Sequence, residues 1–241
     1  RNALNAEMTN ELVEVLDYAK DDSSLRTIVL RGKGNIFCAG GDIKDFKNTM
    51  QNTDIKSVSS NNRSFGNVMT KLNEQPQVVI ILVEGAAIGG GLGLACVSDI
   101  TLVHQETKFR LSETSLGIPP AQIAPFVVQR IGITNARYLM LTGAKFDGKK
   151  AFEIGLAHAV FQDSCQMEQR LADILSEINE CAKNANAATK KILLKALCSP
   201  MTETLDFASF EFANCMLGDE GREGVSAFLE KRKPFWVEND G

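Results

Sequence analysis

The chain has 241 residues, of which 44% are hydrophobic and 23% charged, a balance typical of a globular protein with a hydrophobic core. Its net charge of −4, without a dense run of Lys and Arg, argues against nucleic acid or an anionic membrane as a partner. The longest apolar run, residues 78–83, has the length of a strand and falls well short of the roughly 18 residues that a membrane span needs.

The cysteines and histidines point away from a metal or disulfide protein. The six cysteines contain no C-x-x-C pair, and the two histidines give no zinc-ligand spacing. A chain of this length does not need disulfides, so we expect reduced thiols in an intracellular, cytoplasmic protein. No signal peptide or transit segment is visible. The chain begins with Arg1 rather than Met, which suggests missing N-terminal residues and leaves an organellar matrix as the alternative.

Hydrophobic periodicity predicts alternating helices and strands in the first part of the chain. Residues 6–20 carry apolar side chains at helical spacing after Asn5, a suitable N-cap. Residues 27–31 predict a strand, and residues 36–38 predict a second, shorter one. Residues 47–64 are polar with little periodicity, so we interpret them as a mobile loop or short helix at the mouth of a site.

The middle of the chain continues this alternation. A helix is predicted from Phe65 to just before Pro76, and residues 78–83 follow as a continuous apolar strand of the kind covered on both faces. A glycine-rich turn then leads into a small-residue helix that ends near Ser98, and residues 99–104 predict the next strand.

The last part of the chain is predicted to be mainly helical. Strands that alternate with helices, followed by helices alone, indicate an α/β fold with a helical C-terminal third. We place a core with the binding site over residues 1–185 and a C-terminal helical region over residues 186–241. Helices are predicted at 121–131, 134–142, 148–154 and from 166 onward, with breaks at Pro200 and 218–224, and a short strand at 160–161.

Two glycine clusters, residues 38–44 and 87–93, each follow a predicted strand. Glycine lets the backbone approach a ligand closely, and a helix N-terminus offers free N–H donors. Neither cluster spells G-x-G-x-x-G, because Cys96 stands where the third glycine would be, and this argues against a nicotinamide or flavin cofactor. The alternative for residues 89–93 is that they simply permit close packing of a helix on a strand.

Taken in order, these and other motifs resemble the crotonase (enoyl-CoA hydratase/isomerase) superfamily over nearly the whole chain. Glu84 departs from the pattern, since the family usually has Asn there. The resemblance implies a crotonase-like β/α spiral of ββα turns, with trailing helices that assemble trimers or dimers of trimers. The matching segments are residues 1–6 (RNALNA), 37–44 (FCAGGDIK), 84–91 (EGAAIGGG), 112–120 (SETSLGIPP), 141–143 (LTG) and 151–156 (AFEIGL).

The resemblance also implies a coenzyme A thioester as substrate, with no further cofactor. In the family two backbone N–H groups surround the thioester oxygen, and these positions fall on Gly41 and Gly90 here. Such donors stabilise the enolate-like oxygen of the reaction, and the loss of one typically costs about 100- to 1,000-fold in rate. The residues implied in binding the substrate and its coenzyme A are Ala39, Gly41, Asp42, Ile43, Lys44 and Gly90.

The expected proton chemistry rests on Glu113. Hydratases of the family usually carry two glutamates, but the first position is Gly93 in this chain, and Glu106 does not match the motif. A carboxyl held among apolar neighbours has a raised pKa, which suits general acid/base work near neutrality. Glu113 is therefore our predicted catalytic carboxyl, with a solvated loop carboxylate as the structural alternative.

Residues 111–125, together with Gly93, are similar to the methylglutaconyl-CoA and isohexenylglutaconyl-CoA hydratases of the family. We therefore expect an enoyl-CoA hydratase that acts on a branched, unsaturated acyl-CoA. An enoyl-CoA isomerase that uses Glu113 alone is the enzymatic alternative. A non-catalytic acyl-CoA-binding paralogue is the alternative of another class, because Gly93 supplies no carboxylate.

Several other polar residues have structural interpretations. We interpret Asp42 as a turn or helix cap, and His104 and His158 as structural or surface residues. Residues 231–233 (KRK) are interpreted as a solvated charge run, with contact to coenzyme A phosphates across a subunit boundary as the alternative.

Overall fold

A computed structural model describes residues 1–51 and 54–238 of the chain. Its strands are β1 (Thr27–Arg31), β2 (Val78–Val83), β3 (Ala86–Ile88), β4 (Ile100–His104), β5 (Lys108–Arg110), β6 (Lys145–Phe146) and β7 (Ala159–Phe161). Its α-helices are α1 (Ala6–Asp21), α2 (Ile43–Met50), α3 (Ile55–Asn73), α4 (Gly90–Val97), α5 (Ala124–Thr142), α6 (Gly148–Glu153), α7 (Ser164–Asn179), α8 (Lys183–Cys198), α9 (Met201–Leu217), α10 (Asp219–Glu230) and α11 (Phe235–Glu238). A short 3-10 helix lies at Glu113–Leu116.

A parallel sheet in the strand order β1-β2-β4-β7 forms the centre of the core. Successive residues of a strand face opposite sides of the sheet, and β2 is apolar throughout, so it contributes to a core on each side. Val79 and Ile81 pack in the larger core with α3, α4 and α5. Ile80 and Leu82 pack on the other side with Met167 of α7. The continuous apolar run predicted this covering of both faces.

A second, smaller sheet has the order β3-β5-β6. β2 is followed by β3 and then α4, and β4 is followed by β5 and then α5, so strand–strand–helix units repeat along the chain. Cys38 adds an isolated bridge to Ala87 at the edge of this sheet. β3 and β5 are parallel, so their carboxyl ends lie at the same edge of this sheet, whereas β6 runs antiparallel to β5.

Two predictions in the first half of the chain were wrong. Residues 36–38 make one bridge rather than a strand, because the chain turns away at Gly40, whose φ is +98°. The segment 47–64 is helical over most of its length: α2 covers its start, and α3 begins at Ile55 rather than at Phe65. The side chain of Asp54 accepts hydrogen bonds from the next turn and caps α3. Residues 52 and 53 of this segment lie outside the described residues.

Other boundaries were predicted closely. β1 and β2 have the predicted limits, and Asn5 caps α1 by accepting a hydrogen bond from the backbone N–H of Met8. α5 is continuous where two helices were predicted, although Gly132, with φ +72°, kinks it at the predicted break. No helix among the described residues is both long and apolar enough to cross a membrane.

Candidate active site

The loop that carries Gly41 pairs with the first residues of the chain. The backbone N–H of Leu4 donates to the carbonyl oxygen of Gly40 at 2.8 Å, and the N–H of Asp42 donates to the carbonyl oxygen of Leu4 at 3.2 Å. Gly41 lies between these two bonds, and its own N–H belongs to neither of them. The Asp42 carboxylate accepts from the backbone N–H of Lys44 at 2.7 Å and caps α2, so its interpretation as a helix cap is confirmed.

Gly90 is the first residue of α4. The first intrahelical hydrogen bond runs from the N–H of Gly93 to the carbonyl oxygen of Gly89, at 3.0 Å, so the N–H of Gly90 has no intrahelical acceptor. Gly89 has φ +51°, a conformation that disfavours side chains, and its N–H donates to the carbonyl oxygen of Arg110 at 2.9 Å. The start of α4 is thus held against β5, and it presents an N–H of Gly90 without an intrahelical acceptor and the positive end of the helix dipole.

The structure brings the two glycine loops side by side. The N–H of Ile88 donates to the carbonyl oxygen of Cys38 at 3.0 Å. Leu4, which pairs with Gly41 through its backbone, has its Cδ1 2.8 Å from the position a Cβ would take on Gly90. The predicted N–H positions, Gly41 and Gly90, therefore share Leu4 as a neighbour.

Glu113 lies directly against the second loop. It begins the 3-10 helix after β5, and a Cβ built on Gly89 would be 2.6 Å from its Oε1. Its Oε2 is buried and accepts no hydrogen bond within the part of the chain that the structure describes. Burial raises the pKa of this carboxyl, while the backbone N–H groups of Glu113 and Ser112 act in the opposite direction. Glu113 is thus a half-buried carboxyl with one buried oxygen, an environment of the kind that suits proton transfer.

The space beside Gly93 is filled by apolar side chains. A Cβ built there would be 2.4 Å from Cγ2 of Ile123 and 3.2 Å from Cε of Met69. Position 93 therefore has no room for a second carboxylate with these neighbours in place. The side chains beside Gly93 therefore form an apolar wall one turn along α4 from Gly89, which Glu113 contacts.

Aromatic rings stand beside both predicted N–H donors. Cζ of Phe46 lies 2.7 Å from the Cβ position of Gly41, and Cζ of Phe65 lies 3.0 Å from that of Gly90. Phe46, Phe65 and Ile123 were not predicted as site residues from the sequence. The available signal was weak: Phe46 is a large apolar residue of the short helix α2, and it is 42% exposed.

Three further predicted binding residues lie on the loop and the helix next to Gly41. Ala39 and Lys44 are both exposed next to Gly41, and their contact with a substrate stays a prediction. The same holds for Ile43, which begins α2 and whose side chain lies outside the described residues. The chain positions these residues on the loop and helix that flank the candidate site.

The two histidines have structural roles. Nδ1 of His158 accepts from the backbone N–H of Thr101 at 3.0 Å, and burial lowers the pKa of this imidazole. A ring nitrogen of His104 bonds to the carbonyl oxygen of Gln162 at 3.0 Å. Both contacts join β4 to the chain around β7, as the structural interpretation expected.

The C-terminal charge run is partly neutralised within the chain. The guanidinium of Arg232 forms ion pairs with Glu223 at 2.5 Å and with Glu230 at 2.7 Å. These pairs account for the charge of Arg232, and they favour a solvated surface network over a phosphate site.

Comparisons with known proteins agree with the resemblance. A family model described as enoyl-CoA hydratase/isomerase matches residues 1–239. A probable enoyl-CoA hydratase of Bacillus subtilis is 29% identical over 97% of this chain and 90% of its own length. A trans-2-decenoyl-[acyl-carrier-protein] isomerase of Streptococcus mutans is 24% identical over 97% of this chain and 89% of its own length.

The solved structures agree on the fold. AtuE of Pseudomonas aeruginosa superposes with a TM-score of 0.94 at 48% identity, covering 98% of this chain and 91% of its own. The predicted crotonase-like spiral with a helical C-terminal region is confirmed. Hydratases and isomerases both occur among the relatives.

Proposed function

Since the chain belongs to the enoyl-CoA hydratase/isomerase family, we propose that it adds water to the double bond of an α,β-unsaturated acyl-CoA. One observation carries this proposal: the Glu113 carboxyl is half-buried, and its buried Oε2 lacks a hydrogen-bond partner among the described residues. The same carboxyl touches Gly89, which directly precedes the free N–H of Gly90. A proton-transfer group and a candidate oxyanion donor therefore lie next to each other.

In the proposed mechanism the thioester oxygen accepts hydrogen bonds from the N–H groups of Gly41 and Gly90. Glu113, as a carboxylate, takes a proton from a water molecule while the water oxygen bonds to C3 of the acyl group. The electrons of the C2–C3 double bond move to the thioester oxygen, where the two N–H groups stabilise the enolate. Glu113 then returns the same proton to C2 as the enolate collapses. The product is a 3-hydroxyacyl-CoA, and the carboxylate is regenerated.

The proposed substrate carries a branched acyl group, as in methylglutaconyl-CoA. The similarity of residues 111–125 to hydratases of that kind supports this choice. The apolar wall formed by Ile123 and Met69 is compatible with a bulky hydrocarbon branch near Glu113.

A second candidate is a Δ3–Δ2 enoyl-CoA isomerase. The filled space at Gly93 favours it, because Ile123 leaves no room there for a second carboxyl to orient a water molecule. One carboxyl suffices for isomerisation, since Glu113 would remove a proton from one carbon and return it to another. A non-catalytic acyl-CoA-binding protein is the candidate of another class.

The first experiment compares the wild type with Glu113→Gln, using crotonyl-CoA and 3-methylglutaconyl-CoA. Loss of the enoyl-thioester absorbance measures hydration. We expect Glu113→Gln to lower the rate by about 100-fold or more, since a positioned acid/base typically contributes that much. Glu106→Gln removes an exposed carboxylate from the turn between β4 and β5 and is expected to keep the wild-type rate.

Hydration that survives Glu113→Gln would contradict the proposed role of this residue. If the wild type hydrates neither thioester, a 3-enoyl-CoA that yields conjugated product would identify the isomerase. Thermal stabilisation by acyl-CoA without any turnover would instead identify the binding protein, because a ligand that binds the native state alone raises its stability.

We also propose that the chain assembles into trimers or dimers of trimers through its C-terminal helices. Large apolar side chains on α8–α10 are exposed in the single chain, which is unusual for a free surface: Leu193, Leu197, Leu205, Phe212, Leu217 and Phe228 are 59–82% exposed. Sedimentation equilibrium should give a multiple of three chains, and Phe228→Asp should lower that mass. Val15→Asp, at an exposed position of α1, is the matched control, and a monomeric wild type would contradict the proposal.

A further inference from the structure

The carboxyl end of α4 is closed by two buried hydroxyl groups. The backbone N–H that would continue the helix to Ala95, that of Asp99, donates instead to the carbonyl oxygen of Val79 at 2.9 Å. The carbonyl oxygen of Ala95 accepts from side chains, at 3.1 Å from Oγ of Ser98 and 3.0 Å from Oγ1 of Thr101. Side-chain donors thus replace the backbone donor at the last turn of α4.

The two hydroxyl groups also bond to each other. Oγ of Ser98 lies 2.7 Å from Oγ1 of Thr101, and the two residues are 4% and 0% exposed. A hydroxyl group has one proton to donate and can accept as well. When one hydroxyl donates to the other, the second donates to Ala95, and the first bond strengthens the second by polarising it.

Thr101 is held in place by the central sheet. It lies in β4, opposite Ile81 of β2. Its N–H donates to Nδ1 of His158 at 3.0 Å, and its carbonyl oxygen accepts from the N–H of His158 at 2.8 Å. The position of this hydroxyl is therefore set by the strands, and the hydroxyl ties the carboxyl end of α4 to them.

The carbonyl of Ala95 begins a row of hydrogen-bonded peptide groups that runs back along α4. Each N–H of an α-helix donates to the carbonyl oxygen four residues earlier, so a row links every third peptide group. This row continues through the N–H of Cys96, which belongs to the same peptide group as the Ala95 carbonyl. Its last bond joins the N–H of Gly93 to the carbonyl oxygen of Gly89 at 3.0 Å, and that peptide group carries the N–H of Gly90.

The row lies in the interior of the protein, since residues 91–97 are all buried. Hydrogen bonds are electrostatically stronger in such surroundings than in water, and bonds in a chain strengthen one another by roughly 10–30% each. Donors at the Ala95 carbonyl therefore make the N–H of Gly90 a stronger donor. Arg130 acts on the neighbouring row, because its Nε donates to the carbonyl oxygen of Cys96 at 3.0 Å.

We propose that the hydroxyl pair of Ser98 and Thr101 positions and polarises the N–H of Gly90 through this row of α4, and so strengthens its hydrogen bond to the thioester oxygen. Both are positioning residues, which act from the far end of the helix without touching the substrate. The inference rests on the proposed function, since it assumes that the thioester oxygen accepts from Gly90.

The test combines the rate of hydration with the absorbance of a bound thioester. Hydrogen bonds to the thioester oxygen draw electrons from the conjugated double bonds, so 2,4-hexadienoyl-CoA should absorb at longer wavelength when bound than when free. In the double variant Ser98→Ala with Thr101→Val we expect a smaller red shift. We also expect kcat for crotonyl-CoA to fall about 2- to 8-fold, which is a tenth to three tenths of an oxyanion donor's contribution on a logarithmic scale. KM should change little, because charge develops on the oxygen mainly in the transition state.

Two matched controls separate the hydroxyl from the packing around it. Thr101→Ser removes a methyl group from the same buried position and retains the hydroxyl, so it should lose stability but keep the red shift and kcat. Thr107 is also 0% exposed, and its Oγ1 donates to the carbonyl oxygen of Val83 at 2.9 Å, outside α4. Thr107→Val therefore loses a hydrogen bond of the same kind and should keep the wild-type red shift and kcat.

An unchanged red shift in the double variant would overturn the inference even if kcat falls, because the loss would then not act through the N–H of Gly90. Equal losses in Thr107→Val or Thr101→Ser would also overturn it, since general loosening of the core would explain them. If the double variant does not fold, Ser98→Ala and Thr101→Val are measured singly. Each should give a smaller change in the same direction, and an unchanged red shift in both would contradict the inference.

This inference and the proposed function can fail separately. A wild type that hydrates no enoyl-CoA, but whose red shift shrinks in the double variant, would uphold the inference and refute the hydratase. A wild type that hydrates crotonyl-CoA, with a red shift and a kcat that do not respond to the loss of both hydroxyl groups, would do the reverse.

Discussion

Ile123 occupies the space that a side chain at position 93 would enter, with its Cγ2 2.4 Å from the Cβ position of Gly93. The glycine and the isoleucine therefore depend on each other. With Gly93 and Ile123 in place, Glu113 is the carboxyl that lies against the start of α4. Ile123 and Met69, the apolar neighbours of Gly93, belong to the larger hydrophobic core.

Gly93→Glu is expected to destabilise the protein by about 1–3 kcal/mol, the usual cost of overpacking a core, and to give no gain in hydration. The double variant Gly93→Ala with Ile123→Ala should lose less stability than the sum of the two single losses, because the second change removes the clashing methyl group. Urea unfolding measures both effects. Additive losses in the double variant would show that the two side chains do not compete for the same space.

Gly89→Ala should lower activity strongly through Glu113. The new Cβ would lie 2.6 Å from Oε1 of Glu113 and so displace the carboxyl, in addition to the cost of a non-glycine residue at φ +51°. Gly155→Ala is the matched control, since Gly155 has φ +78° but no atom within 4 Å of its Cβ position. Both variants should lose about 1 kcal/mol or more of stability. A similar fall in kcat in both would mean that backbone strain, and not displacement of Glu113, causes the loss.

The pH dependence of the reaction should follow Glu113. Burial raises the pKa of this carboxyl above its ordinary value of 4.5, and the proposed base must be ionised. We therefore expect kcat/KM to rise with pH on an acid limb whose midpoint lies above 4.5. A midpoint at or below the ordinary glutamate value would contradict a buried Glu113 as the base.

Stability should depend on the same ionisation. A carboxyl with a raised pKa in the folded state favours the protonated form, so its ionisation costs stability as pH rises through that pKa. Glu113→Gln should accordingly gain stability relative to the wild type as pH rises from below 4.5 to neutrality. Thermal unfolding of both proteins across this pH range tests how the difference in their stability changes with pH.

Lys190 is expected to anchor α8 to the central sheet. Its Nζ lies 2.5 Å from Oδ2 of Asp99 with only 11% of the lysine side chain exposed, and the Asp99 carboxylate also accepts from the backbone N–H of Val79 at 2.7 Å. Lys190→Met should cost about 2 kcal/mol, because the Asp99 carboxylate, 30% exposed, loses its ion-pair partner. Lys191→Met, in which a 61% exposed lysine loses a contact of 3.8 Å to Glu211, should cost less than about 1 kcal/mol. Equal losses of stability in the two variants would contradict an anchoring role for Lys190.

Helices and strands with a strong hydrophobic pattern could be predicted from the local sequence. The apolar run of β2 and the capped amphipathic pattern of α1 predicted their limits closely. α3 was missed over its first half because its outer face is polar and exposed, which hides the helical period until Val68 and Met69 enter the core. β3 and β6 have three and two residues, too few to show an alternation.

The candidate site was predictable only in part for a related reason. The glycine loops and Glu113 were found from ordered motifs along the chain. The filling of the space at Gly93 by Ile123 joins residues distant in sequence, and spacing along one chain carries no sign of it. Such contacts are set by the packing of α3 against α4 and α5, which a single sequence does not specify.

The pairing of Leu4 with Gly41 has a kinetic consequence. Leu4 is synthesised before the other residues of the site. Its side chain contacts Gly90, and Gly89 contacts Glu113. The site is therefore complete only after more than a hundred further residues have been added. Contacts of such sequence separation form slowly, because a long loop must close before they contribute. We therefore expect acyl-CoA binding during refolding to appear with the last kinetic phase, after the secondary structure. Cleavage of the backbone between Asn5 and Gly40 would therefore weaken the positioning of the loop that carries Gly41, although the residues of that loop stay intact.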